Sequence, residues 1–304
     1  MNTASKLGAY AVGLAVVFGG ALGVGNAVGE GAPAPARPSH GGTHAEVAKS
    51  QDDTPGGLQV SQNGYTLNPL TTVKAGEPTD FRFTVTGPDG KPVTDYQVQH
   101  DKKLHFIVVS RDLATFQHLH PEQSGDGVWS VKLTLAAPGA YRAFADFAPV
   151  GGSGLTLGMD VPVAGDYEPR VLPAVTRTAQ VDGYTVSMTG DLVPGQASKL
   201  TLSVSKDGRP VTDLQPYLGT YGHLVALRAG DLAYLHVHPE ESDTAGPEIT
   251  FYAEVPSGGD YRLFLDFQHA GKVRTADFTA QAGAGQPKPA AEPSVSPSHD
   301  DHKH

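Results

Sequence analysis

Four separate stretches of this chain are written twice at a nearly constant distance, and that duplication limits the fold more than any other feature of the sequence. Gly64-Tyr65-Thr66 returns as Gly183-Tyr184-Thr185, and Asp89-Gly90-Lys91-Pro92-Val93-Thr94-Asp95 returns as Asp207-Gly208-Arg209-Pro210-Val211-Thr212-Asp213. His118-Leu119-His120-Pro121-Glu122 returns as His236-Val237-His238-Pro239-Glu240, and Gly139-Ala140-Tyr141-Arg142 opens a strand that recurs from Gly259-Asp260-Tyr261-Arg262. The offset is 118 to 120 residues throughout. Solenoid repeats run about 20 to 50 residues, so a period this long means two tandem copies of a whole domain. A chain of 304 residues has room for them.

Within each copy the hydrophobic period is two. Phe81-Arg82-Phe83-Thr84-Val85, Trp129-Ser130-Val131-Lys132-Leu133 and Leu200-Thr201-Leu202-Ser203-Val204 alternate apolar with polar residues, as half-buried strands do. The 37 Gly and 24 Pro fall between short apolar runs as turn punctuation, and Asp89-Gly90 and Asp207-Gly208 sit where turns are needed. The expected fold is all-β: two tandem immunoglobulin-like antiparallel sandwiches of seven or eight strands each.

The flanks are different in kind. From Leu7 to Val28 there is no charged side chain, and Lys6 precedes the run. Such a segment is long enough to span a bilayer as a transmembrane helix, and small residues after it would also permit cleavage as a secretory signal. Either way the rest of the chain lies outside the cytoplasm, anchored to the membrane or secreted. The organisation expected is a signal or anchor helix at 1–29, a disordered tether at 30–57, copy one at 58–165, a linker at 166–176, copy two at 177–281 and a disordered His-containing tail at 282–304.

The formal charge of −10 and the absence of a basic cluster argue against a nucleic-acid partner. The absence of Cys removes thiolate nucleophiles, Cys-type zinc sites, blue-copper sites and disulfides together. Thirteen His remain, and six of them recur on one hairpin of each copy. In copy one, Leu104-His105-Phe106-Ile107-Val108-Val109 runs into a turn at Ser110-Arg111-Asp112 and returns through His118-Leu119-His120. In copy two, His223 precedes a turn at Ala229-Gly230-Asp231, and the chain returns through His236-Val237-His238. Residues i and i+2 of a strand share a face. Folding about the turn brings His105 opposite His118 or His120, and His223 opposite His236 or His238. Three imidazoles on adjacent strands can offer three nitrogens to one ion, so the candidate metal ligands are His105, His118 and His120, and His223, His236 and His238. A fourth ligand could come from Asp146 or Asp266, acids inside apolar strands, or from Glu122 or Glu240 just after the proline. Against ligation, a His-X-His pair can be two solvated side chains on a polar face, and Asp146 and Asp266 can pair with the arginines of their own strands.

Imidazole donors without sulfur suit Cu(II), Zn(II) or Ni(II), with Cu(II) first in the Irving–Williams order. With the hairpin Lys103-Leu104-His105 through Glu122 in view, the sequence resembles actinobacterial exported proteins described as secreted or heavy-metal-binding, which share the pattern Leu-His-Phe/Leu-X-Val-X-X-X-Asp-Leu followed by His-X-His-Pro-Glu. The resemblance implies an extracytoplasmic β-sandwich associated with copper or other heavy metals. Copy two departs from it with Tyr221-Gly222-His223 in place of Lys103-Leu104-His105. The function expected is metal buffering, delivery or resistance, one ion per copy, with the metal ion as partner beside the membrane and an unknown metal-transport protein. The alternatives are a non-enzymatic surface or adhesion module and a Zn-dependent hydrolase. No Gly-X-Ser-X-Gly elbow, His-Glu-X-X-His helix, phosphate loop or dinucleotide fingerprint occurs, so the enzyme reading is the weakest.

Overall fold

A computed structural model describes residues 54–235 and 237–283. The apolar N-terminal run, residues 30–53 of the tether, His236 and the tail from residue 284 lie outside the described residues. Among the described residues there is no α-helix, and no helix is long and apolar enough to cross a membrane.

Copy one comprises β1 (Ser61–Gln62), β2 (Tyr65–Pro69), β3 (Thr79–Thr86), β4 (Leu104–Ser110), β5 (Phe116–Leu119), β6 (Glu122–Gln123), β7 (Val128–Leu133), β8 (Gly139–Phe147) and β9 (Leu155–Val163). Its two antiparallel sheets have the orders β1-β2-β3-β7-β6 and β5-β4-β8-β9. Copy two comprises β10 (Thr178–Val181), β11 (Tyr184–Thr189), β12 (Ala197–Lys206), β13 (Arg209–Pro210), β14 (Gly222–Arg228), β15 (Tyr234–Leu235), β16 (Val237–Pro239), β17 (Glu248–Glu254), β18 (Gly259–His269) and β19 (Lys272–Ala282). Its sheets repeat the plan as β10-β11-β12-β17-β16, with β13 on β12, and β15-β14-β18-β19. Each copy is thus an immunoglobulin-like sandwich. The alternation seen in the sequence fills each core: Phe81, Phe83 and Val85 of β3 point inward with Phe106 and Trp129, and Leu200, Leu202 and Val204 of β12 do the same in copy two.

The second sheet of each copy is buried on both faces. All seven residues of β4 are buried. Leu104, Phe106 and Val108 enter the core of copy one, whereas Ile107 and Val109 join Leu113 and Phe144 in a separate cluster with Val225, Leu227, Leu232 and Phe264 of copy two. The two copies are therefore docked sheet against sheet, β4 and β8 facing β14 and β18. Phe116 stacks on Phe264 with ring centroids 4.2 Å apart, and the corresponding pair, Tyr234 and Phe144, is 5.6 Å apart. Reciprocal contacts of this kind define a pseudo-two-fold, isologous interface between the repeats.

The expectation of a tether extending to residue 57 is corrected at its C-terminal end. Gly57 donates its N–H to Thr156 O at 2.8 Å, its carbonyl accepts from Arg142 Nη2 at 2.6 Å, and Tyr234 donates its N–H to Gly56 O at 2.9 Å. This segment straps the rim of the interface because both sheets leave unpaired backbone groups on their edge strands there, Thr156 O and Gly158 N on β9 and Tyr234 N on β15. Gly57 sits at φ +73, and a Cβ on it would meet the Phe144 ring at 2.5 Å, so the strap needs glycine.

Candidate metal centre

The hairpin β4–β5 closes with Phe106 opposite Leu119 and Val109 opposite Phe116, so its centre falls at 112.5 and His105 continues the register opposite His120. His105 shares its face with Ile107 and Val109 and therefore looks toward copy two. His118, paired with Ile107, looks the same way. One nitrogen from each of His105, His118 and His120 lies within 4.8 Å of the other two. The ring centroids are 5.3, 5.3 and 4.8 Å apart. At a metal–nitrogen distance of about 2.0 to 2.1 Å, two imidazoles on a tetrahedral ion have centroids roughly 5 Å apart. The three rings already stand at that spacing.

Hydrogen bonds set the tautomers. His118 Nδ1–H donates to Asp266 Oδ2 at 2.8 Å, and a carboxylate can only accept, which leaves the lone pair of His118 on Nε2. His105 Nε2–H donates to the Gln99 carbonyl at 3.1 Å, which leaves its lone pair on Nδ1. With one proton on each ring these two lone pairs would face each other at 3.1 Å, a contact that only a proton or a cation shared between the two nitrogens makes favourable. His120 Nε2 is buried with no hydrogen-bond partner. Burial first, then the neighbouring imidazoles, pushes His105 down to about 4 and His120 down to about 3. Both rings are neutral near pH 7, so the donors a cation requires are exposed to one another at little cost in deprotonation.

The carboxylate behind His118 comes from the other copy. Asp266 on β18 is opposite His223, its side chain is 5% exposed, and it also accepts from Thr275 Oγ1. A ligating His normally hands its second N–H to such a group. Asp266 thus stands behind the candidate ligand His118, and it does not pair with the arginine of its own strand, because Arg262 is taken by Asp277 across β18 and β19. Asp146, opposite His105, accepts from Thr156 Oγ1 at 2.8 Å, and Arg142 pairs with Asp160 at 2.8 Å.

Copy two does not rebuild the triad among the described residues. The register of Ala226 with Leu235 and Leu227 with Tyr234 centres its hairpin at 230.5, which would set His238 opposite His223. The chain leaves the sheet earlier, however: β15 ends at Leu235, and β16 pairs with β17 of the opposite sheet, carrying His238 to an exposed position across from Tyr252. In copy one the same crossing waits until after Leu119. His236 lies outside the described residues. The expectation that His238 joins His223 is corrected by this crossing of the chain to the other sheet, and the expectation for the glutamates is corrected as well. Glu122 is exposed on β6 opposite Ser130, and Glu240 is exposed and bonded to Lys199 and Tyr252. His223 itself repeats His105: its Nε2–H donates to a carbonyl six residues upstream, Tyr217 O, at the same 3.1 Å. Burial, then His118, pushes it down to about 3.

Sequence reasoning passed over the contribution of one copy to the site of the other. The signal was present in the unalternating runs Phe106 to Val109 and Leu224 to Leu227, which mark strands with two buried faces.

The comparisons with known proteins bear on family and fold. The family described as "Domain of unknown function (DUF8832)" matches twice, over residues 59–165 and 179–284, and the chain belongs to that family. No curated protein matches it. Among solved structures, it is similar to the Yersinia pseudotuberculosis adhesin InvE at 13% identity, TM-score 0.22, covering 73% of this chain and 60% of that one. It is similar to the Escherichia coli adhesin FdeC at 14% identity, TM-score 0.23, covering 74% of this chain and 65% of that one. It thus spans less than two thirds of either. Likenesses at this level carry no argument about activity.

Proposed function

We propose that this member of the DUF8832 family is an extracytoplasmic protein that binds a divalent transition-metal ion, Cu(II) by preference with Zn(II) or Ni(II) admitted, on His105, His118 and His120, and serves in metal buffering, delivery or resistance. One observation carries the reading: a nitrogen from each of three imidazoles converges within 4.8 Å, the N–H groups of His105 and His118 are held from behind, and His120 carries a buried nitrogen with no hydrogen-bond partner. A proton or a metal ion is what such a set lacks, and burial disfavours the proton. Sulfur-free donors of this type favour Cu(II) over the other two. The export inferred from the Leu7–Val28 run supports an extracytoplasmic place of work.

A second reading takes the His118–Asp266 bond, buried on both sides, as a polar staple that locks the sandwiches into a rigid, non-enzymatic surface or adhesion module. A Cu(II) titration of the full-length protein against its H118A/H120A variant separates the two. Metal binding predicts loss of the tightest ion with affinity reduced by orders of magnitude while the fold persists, since removing two of three nitrogens discards most of a binding energy that reaches about 10 to 16 kcal/mol in structural zinc sites. Equal binding by both proteins would leave the staple as the better account.

A further inference from the structure

The triad leaves unexplained two histidines from opposite copies that meet beside it. His100 and Asp101 are the central residues of a tight turn, with φ +47 and +60, closed by reciprocal hydrogen bonds between Gln99 and Lys102. The turn holds the ring of His100 out from copy one, 5.2 Å centroid to centroid from the ring of His223 in copy two. That is again the tetrahedral spacing. The distances from His223 to His105 and to His118 are both 6.1 Å, and His100 is 6.0 Å from His105. Imidazoles on directly opposite sides of one ion have centroids roughly 6 Å apart, and a ring cannot stand opposite two others at once. His223 therefore does not complete the triad's own shell.

Between the two groups lies a cavity of about 60 Å³, lined by His100, His105, His118, His223 and Asp146. It is large enough for an ion or a water. The tautomer of His223 is set as that of His105 is: its Nε2–H is bound to Tyr217 O, so Nδ1 carries the lone pair. His100 is exposed and also lines a wide outer cleft of about 770 Å³ with Asp101, Glu240, Glu241, Asp243 and Glu248. A negatively charged cleft raises the local concentration of cations. His100 lines both the outer cleft and the inner cavity.

We propose that His100 and His223, one from each copy, form a second cation position between the repeats, solvent-facing and adjacent to the triad, for the same imidazole-preferring divalent ions. The position has ligands of its own, so it stands or falls separately from the triad.

The test uses the full chain with its five flanking histidines replaced (H40A, H44A, H299A, H302A and H304A), titrated with Cu(II) and followed by metal analysis and electron paramagnetic resonance. Adding H100A/H223A is expected to lower the stoichiometry by about one ion and to abolish the magnetic coupling between neighbouring Cu(II) ions, with the tightest ion retained. The H100A variant alone alters an exposed turn residue and is expected to lose the same ion with its circular dichroism unchanged. An H118A/H120A variant that still binds the ion at His100 and His223 supports the second position. Unchanged stoichiometry in H100A/H223A overturns it, and so does loss of the tightest ion in that variant, because the pair would then belong to the triad's shell. Failure of the triad reading is visible separately, as a stoichiometry in H118A/H120A equal to that of the parent.

Discussion

Asp266 touches no candidate donor nitrogen directly, yet it decides which nitrogen of His118 can bind. Its carboxylate holds the proton on Nδ1, 2.8 Å away, and turns Nε2 toward His105. Replacing it with Asn keeps the size and a carbonyl acceptor but removes the negative charge and introduces an amide that can rotate an N–H toward the ring. The D266N variant is expected to stay folded and to bind Cu(II) 10- to 100-fold more weakly, read by competition with a chromogenic chelator. His269, bonded to Tyr184 and Asp213 instead, is the control, and H269A is expected to bind as the parent does. Equal affinity in D266N would remove Asp266 from the site.

The same buried rings make the metal-free protein acid-sensitive. In an unfolded chain these imidazoles titrate near 6.5, whereas burial holds His105 at about 4 and His120 and His223 at about 3 in the fold. Between those values the unfolded chain binds more protons than the folded one, so stability is fully present above pH 6.5 and falls as pH drops toward 4 for His105 and toward 3 for His120 and His223. His105 alone accounts for about 2 kcal/mol of loss by pH 5. Urea midpoints of metal-free protein at pH 7.5 and pH 5 measure it, and a midpoint that does not move between them contradicts the burial argument.

At the level of strands, period-two alternation was enough to place β3, β7 and β12 and to give each copy its sandwich. The hairpin arithmetic also held: of the two centres open to β4 and β5, the structure takes 112.5, and His105, His118 and His120 come together. Two things were not legible. The point at which the returning strand leaves one sheet for the other differs between copies, after Leu119 in one and after Leu235 in the other. Pro121 and Pro239 sit at equivalent places, so the sequence marks a strand end in both without saying which sheet the preceding residues join. The other was the partner of the second buried face. Phe106 to Val109 shows that β4 is covered twice, but only the packing of Ile107, Val109 and Phe144 against Val225, Leu227 and Phe264 shows that the cover is the other repeat, and that Asp266 and His223 come with it.

The whole molecule is therefore better regarded as a pair than as two independent beads. Ile107, Val109 and Phe144 of copy one are covered by Val225, Leu227 and Phe264 of copy two, and Arg111 reaches across to donate to Gly230 O at 3.1 Å. Separating residues 54–165 from residues 166–283 would expose these apolar faces, and isolated patches of that kind drive association. Each half, expressed alone, is expected to self-associate, visible by analytical ultracentrifugation. The copy-one half keeps His105, His118 and His120 but has lost Asp266, so its Cu(II) affinity is expected to fall 10- to 100-fold, as in D266N. Mixing the halves restores both the docked face and the carboxylate, so tight binding returns as the heterodimer forms. By linkage, an ion present at a thousand times its dissociation constant stabilises the joined protein by about 4 kcal/mol, and much of that should appear as resistance to separation of the copies. A copy-one half that stays monomeric and binds Cu(II) as tightly as the whole chain would mean that the site is complete within one repeat, with the interface only its neighbour.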